Sequence, residues 1–167
     1  GLRARQRFTE ADLLAIQLDD RALLLEPWYR LLRQTVQNQP DPALQRLEAA
    51  SRQWEGRASV DSVSYRLARG FRGITLNKVQ AGLLAPVRQA LDTPDWHGPA
   101  LPQLEGIVWP LLEQRPPHLL PPGHASWDDL LASVASELVA DLDSQGPDLS
   151  QRTWGERSTA RICHPLQ

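Results

Sequence analysis

Few residues in this chain are of types that do chemistry, and their spacing decides what they could do. The histidines His97, His118, His124 and His164 are scattered over Pro- and Gly-rich stretches, none with a second His or Cys at ligand spacing, so no metal site is expected. Cys163 and His164 are neighbours in sequence. On an extended segment adjacent side chains point to opposite faces, which speaks against a Cys-His nucleophile pair. Three acidic pairs, Asp19-Asp20, Asp128-Asp129 and Asp141 with Asp143, have the composition of general acid-base machinery. Each falls on a predicted helix at a capping or exposed position, where a solvated face or an ion pair with a nearby arginine is the simpler reading. A Gly-rich phosphate loop, a GxSxG elbow and an HExxH helix are all absent from the sequence. From residue types and spacing alone, the expected set of catalytic, cofactor-binding and metal-binding residues is empty.

The elements that position these groups read as helices. Thr9 with Asp12 forms a variant capping box, and Leu14, Leu18, Ala22 and Leu25 follow at helical spacing. Pro27 must kink that helix or open a second one, along which Trp28, Leu31, Leu32 and Thr35 continue an apolar face until the stretch 38–42, NQPDP, ends it. Asp41-Pro42 opens a short helix with Leu44, Leu47 and Ala50 inward. From Ser59 to Leu91 the helical period returns through Val60, Val63, Leu67, Phe71, Ile74, Val79, Leu83 and Val87. Gly70, Gly73, Gly82 and Pro86 predict two or three pieces there, not one rod. Residues 93–102, TPDWHGPALP, and 115–124, RPPHLLPPGH, read as loops that pack through Trp96, Leu119 and Leu120. Between them QLEGIVWPLLEQ predicts one short helix broken by Pro110. Ser126, with Asp129 three residues on, caps a helix whose stripe is Leu130, Val134, Leu138 and Leu142, and Gly146 stops it. The fold class is mainly α, with an alternating, strand-like segment near Arg161, Ile162, Cys163 and His164.

Composition bounds the function class. The formal charge is −2 and the 18 lysines and arginines are dispersed among 20 acidic residues, so nucleic acid is not an expected partner. No apolar run approaches the roughly 18 residues of a membrane span, and no signal peptide is recognisable. The single cysteine leaves no internal disulfide to form. A chain of 167 residues without methionine is expected to be processed or cut from a longer one, and its closing stretch, with Trp154, Ile162 and Leu166, is expected to lead onward rather than to end a protein.

That closing stretch, TWGERSTARICHPLQ, resembles a segment of the penicillin acylase (penicillin amidase) family through Trp154, Gly155, Glu156, Arg161, Ile162, His164, Pro165 and Leu166. The run FTEADLLAIQLDDRALLLEPWYRLL, 8–32, is similar to the family's helix with a Gln-x-Asp core, here Gln17 and Asp19. Residues 54–67, WEGRASVDSVSYRL, resemble its Trp-x-Gly followed by Asp-Ser, here Trp54, Gly56, Asp61 and Ser62, and SWDDLL at 126–131 also fits. The resemblance implies an N-terminal-nucleophile amidohydrolase, self-cleaved from one precursor, whose second subunit begins with the catalytic serine. It places residues 1–152 as an irregular helical domain, an excursion from an αββα core outside this chain, and 153–167 as the start of re-entry into the catalytic sheet. The implied activity is cleavage of an amide bond in an acylated substrate of the β-lactam side-chain or acyl-homoserine lactone type. The family's serine hydroxyl and α-amino base lie outside these residues, and Gly1 supplies no hydroxyl, so the isolated chain is predicted inactive. The resemblance also implies the rest of the precursor as partner, allows a structural calcium elsewhere in the parent with no cofactor in this piece, and points to a bacterial periplasmic or secreted enzyme. Gln17 and Asp19, placed on one helix two residues apart, project about 200° from one another, which predicts a structural role with one of them bonding a loop backbone. The competing reading is a stand-alone helical interaction module without catalysis.

Overall fold

The computed structural model describes residues 7–92, 95, 98–99 and 101–160. Seven α-helices span Glu10–Gln17 (α1), Glu26–Val36 (α2), Pro42–Ala50 (α3), Val63–Leu91 (α4), Glu105–Gln114 (α5), Trp127–Asp143 (α6) and Trp154–Ser158 (α7), joined by short 3-10 turns, with no strand among the described residues. The chain is mainly α, as expected. The strand-like segment at 161–164 lies outside the described residues, as do Trp96, His97, Cys163 and His164.

Local signals start most of the helices where the sequence places them, but α4 begins at Val63 and not at Ser59, with Val60 exposed in the loop before it. Thr9 and Asp12 bond reciprocally, the Thr9 amide donating to Asp12 Oδ2 at 3.0 Å and the Asp12 amide to Thr9 Oγ1 at 3.2 Å, so two otherwise orphaned amides are satisfied. Asp41 caps α3 through the Ala43 amide, and Ser62 and Ser126 cap α4 and α6. Pro27 sits in the first turn of α2 and opens that helix instead of kinking α1.

The core lies where α2, α4 and α6 meet, with α3 laid against α6 and α2, and α5 against α4. The predicted stripe of α6, Leu130, Val134, Leu138 and Leu142, is fully buried, together with Trp28, Leu32, Leu47, Leu67 and Phe71. Trp28 meets Trp109 of α5 edge to face with centroids 5.1 Å apart. Buried hydroxyls are satisfied within their own helices: Thr35 Oγ1 donates to Leu31 O and Thr75 Oγ1 to Phe71 O. The 115–124 loop packs on the helices through Leu120 and through the Trp127 indole, which donates to Pro116 O at 3.1 Å, whereas Leu119, expected to pack as well, is exposed.

Three expectations about helix continuity are corrected. Helix α4 is one rod of 29 residues running through Pro86, not two or three pieces. Burial of Leu67, Phe71, Leu76 and Val79 along its first five turns anchors it, and Pro86, on an exposed face in the last turns, costs one hydrogen bond that this packing outweighs. One of its glycines is needed for close approach, since a Cβ at Gly82 would stand 2.9 Å from the Pro121 backbone; a Cβ at Gly70 would stand 2.6 Å from a terminal methyl of Leu138, which would have to turn aside. Helix α5 likewise continues through Pro110, held by buried Val108 and Leu112. Helix α1 stops at Gln17 and buries nothing; Leu14 and Leu18 are exposed, and only Ala22 and Leu25, beyond its end, reach the core. The capping box supplies the start of α1, but among the described residues no buried side chain of the helix carries it on to Ala22.

Candidate functional site

The motif segments are far apart in sequence, and the fold brings described parts of three of them together. The loop 54–62 lies between the segment after α1 and the segment around α7. On one side Ala22 N donates to Gly56 O and Ala58 N to Asp20 O, both at 2.8 Å, the Arg57 guanidinium reaches Asp20 at 2.6 Å, and Trp54 stacks on Tyr29 at 4.8 Å. On the other side Trp154 N donates to Ser62 O at 2.8 Å and Gly155 N to Val60 O at 2.6 Å. Gly155 is required here because a Cβ would come within 2.7 Å of that carbonyl. Three of the four motif segments therefore meet through main-chain hydrogen bonds.

Two charged groups the sequence did not single out sit beneath this junction. Arg66, on the buried side of α4 with 4% of its side chain exposed, donates to Thr153 O at 3.1 Å, to Gln145 Oε1 at 2.7 Å and to the Glu156 carboxylate. Arg152, 9% exposed, brings Nη1 to 3.1 Å from the other oxygen of Glu156, near enough for an ion pair. The angle is poor: its Nε and Nη1 make no hydrogen bond among the described residues. Two buried guanidiniums thus face one carboxylate. Nearby, the Ser62 and Ser64 hydroxyls both donate to Glu55. Tyr65 meets Trp154 edge to face at 5.1 Å, and the Arg69 guanidinium lies 5.0 Å above the Trp154 ring. Arg66 escapes notice in a sequence reading because it falls beside the inward positions Val63 and Leu67, and its partner is 90 residues away.

Apart from Asp141, whose carboxylate has no ion pair among the described residues, the acidic pairs are engaged in ion pairs and caps. Asp19 accepts from the Arg21 amide at 3.2 Å and from both arms of its guanidinium, bonds that pull its carboxyl down to about 2. This corrects the placement of Gln17 and Asp19 on one helix: α1 ends between them, Asp19 shapes the turn that follows, and Gln17 is exposed. The expected loop-backbone bond is made by Asp19. Asp143 is held by Arg46, whose hydrogen bond lowers its pKa, and Asp128 by Arg115 at 2.7 Å. Asp129 accepts from the Ala125 amide at 3.1 Å and lies 3.3 Å from His124 Nδ1. His118 is exposed in the 3-10 turn Pro117–Leu119. Among the described residues no group of three or more His, Cys, Asp or Glu could hold a metal ion, and no helix is long and apolar enough to cross a membrane.

The Arg72–Glu105 pair ties α4 to α5 with both side chains about a quarter exposed. The hydrogen bond from Arg72 is the main cause that holds the Glu105 carboxyl below its ordinary 4.5, against a smaller upward push from burial. Because the folded pKa is the lower one, the pair's stabilisation is complete above the ordinary value and is lost as pH falls through the folded one. Glu105→Gln is expected to cost about 1 kcal/mol at pH 7 and to lessen the fall in stability between pH 5 and pH 3, read from urea midpoints across that range. A profile as steep as that of the parent chain would refute the assignment.

The arrangement is that of a helical domain whose marked residues hold loops and helix ends together. The penicillin amidase family model matches residues 1–167, and the chain belongs to that family. Neither the curated proteins nor the solved structures gave a match to it.

Proposed function

We propose that this chain is the helical part of an amidohydrolase that cleaves the amide bond of an acylated substrate, a β-lactam side chain or an acyl-homoserine lactone. The observation that carries the reading is the family match over the whole chain. In this reading the nucleophilic serine, with its own α-amino group as base, is supplied by another part of the polypeptide, and the helices form a rim beside the catalytic sheet that residues 153–167 lead into. The use of Ser62, Gly155 and Glu156 in joining segments supports a scaffolding role for this portion. The partner is the remainder of the same precursor, and the parent is a bacterial enzyme working in the periplasm or outside the cell.

The test compares two preparations against benzylpenicillin and an N-acyl-homoserine lactone, with amide cleavage followed by amine release. The intact processed protein is expected to turn over at least one of them and the purified 167-residue chain neither. Turnover by the purified chain would place the catalytic groups within it and overturn the division of labour. An intact protein, processed and folded, that cleaves neither would overturn the substrate class.

A further inference from the structure

The junction of α4, α6 and α7 opens onto a groove of about 330 Å³, at the small end of the range for ligand clefts. Its charged lining is Arg66, Arg69, Arg72 and Arg157 with a single carboxylate, Asp141. Two of the four guanidiniums are already committed, Arg66 to Glu156 and Arg72 to Glu105. Arg69 and Arg157 have no carboxylate partner among the described residues. Arg69 is nonetheless held in place, over the Trp154 ring at 5.0 Å and 3.4 Å from the Tyr65 hydroxyl, so engaging an anion would freeze little further side-chain motion. The rest of the wall is Trp154, Ile74 and Asn77, with Gly70 and Gly73 on α4 and the nearly covered edges of Leu138 and Leu142. A Cβ at Gly73 would meet nothing within 4 Å, so the missing side chain leaves open space rather than relieving a clash.

We propose that this groove binds a small organic carboxylate, its charged end on Arg69 and Arg157 beside Trp154 and its apolar body against Ile74, the open face of Gly73 and the edges of Leu138 and Leu142 that reach the groove. A guanidinium offers paired donors to a carboxylate in a planar geometry that simple halide or ammonium ligands do not use. Asp141 repels an anion placed deep on the α6 side, which sets the orientation: the carboxylate toward α7 and the apolar part toward α6. The proposal is independent of where the family's amide chemistry takes place.

Benzoate is the probe and benzamide, of the same shape without the charge, its control. Binding is read from the indole N–H resonance of Trp154, assigned with Trp154→Phe, in the folded 167-residue chain at constant ionic strength. Benzoate is expected to shift that resonance saturably, with benzamide about tenfold weaker, and Arg69→Gln is expected to weaken benzoate about tenfold. Asp141→Asn is expected to tighten it about threefold by removing the repulsion. Gly73→Leu fills the open space and is expected to abolish binding while leaving the thermal midpoint unchanged or higher, since leucine favours a helix over glycine. Failure of benzoate to shift Trp154, equal affinity for benzamide, or full binding by a folded Gly73→Leu chain would each overturn the proposal. Displacement of benzoate by equimolar chloride would show a site for anions in general and would overturn the apolar half of it.

Discussion

Glu156→Ala is expected to be the most damaging single substitution of a charged residue in this chain, at about 3–5 kcal/mol. The wild-type carboxylate stands between Arg66 and Arg152, both nine-tenths or more buried. Its removal leaves two guanidiniums out of water with only Thr153 O and Gln145 Oε1 as acceptors for the first. Glu156 itself is about a third exposed, so the pair's attraction is partly screened, and the main loss is the uncompensated charge of the arginines. Glu156→Gln keeps an acceptor oxygen and is expected to lose less. Urea denaturation followed by far-ultraviolet dichroism measures both, and a double-mutant cycle with Arg66→Met isolates the coupling. If Arg66→Met changes stability by as much in the Glu156→Ala background as in the parent, the two residues are not coupled. The central place given to the carboxylate would then be wrong.

Gly155→Val is the second large effect, about 1–3 kcal/mol from the strain of forcing volume into a closed contact. The β-carbon would overlap the Val60 carbonyl, which already accepts the Gly155 amide at 2.6 Å. Carbonyl and α7 must part to admit it. Global stability reports only part of this, because α7 is five residues long and joins the rest through few bonds. Amide exchange resolves it: the Trp154 and Gly155 amides, bonded to Ser62 O and Val60 O, are expected to lose protection by tenfold or more while amides of α4 and α6 change little. Unchanged protection at both would mean that the loop yields without cost.

The starts of the helices could be read in the sequence. Thr9 with Asp12, Asp41 and Ser126 are each a donor-acceptor solution made within three residues, so the information needed to recognise them is adjacent in the chain. The inward stripe of α6 was legible for the same reason, since a helical period repeats over two turns and needs no distant partner. Family membership was also legible, through dispersed residues in the right order, and the match over 1–167 supports it.

Tertiary structure decided the rest. Whether Pro86 and Pro110 break their helices depends on what the neighbouring turns bury, and Phe71, Val79, Val108 and Leu112 bury enough to carry both helices through. Where α1 stops was equally hidden: Leu14 and Leu18 repeat at helical spacing, yet no described element covers them. Spacing fixes which residues share a face but not whether anything packs against it. The purpose of Trp154, Gly155 and Glu156 was the least legible of all. Their partners, Ser62, Val60 and Arg66, lie some 90 residues upstream, and the charges of Arg66 and Glu156 look like any exposed pair until the chain folds them together and removes one from water.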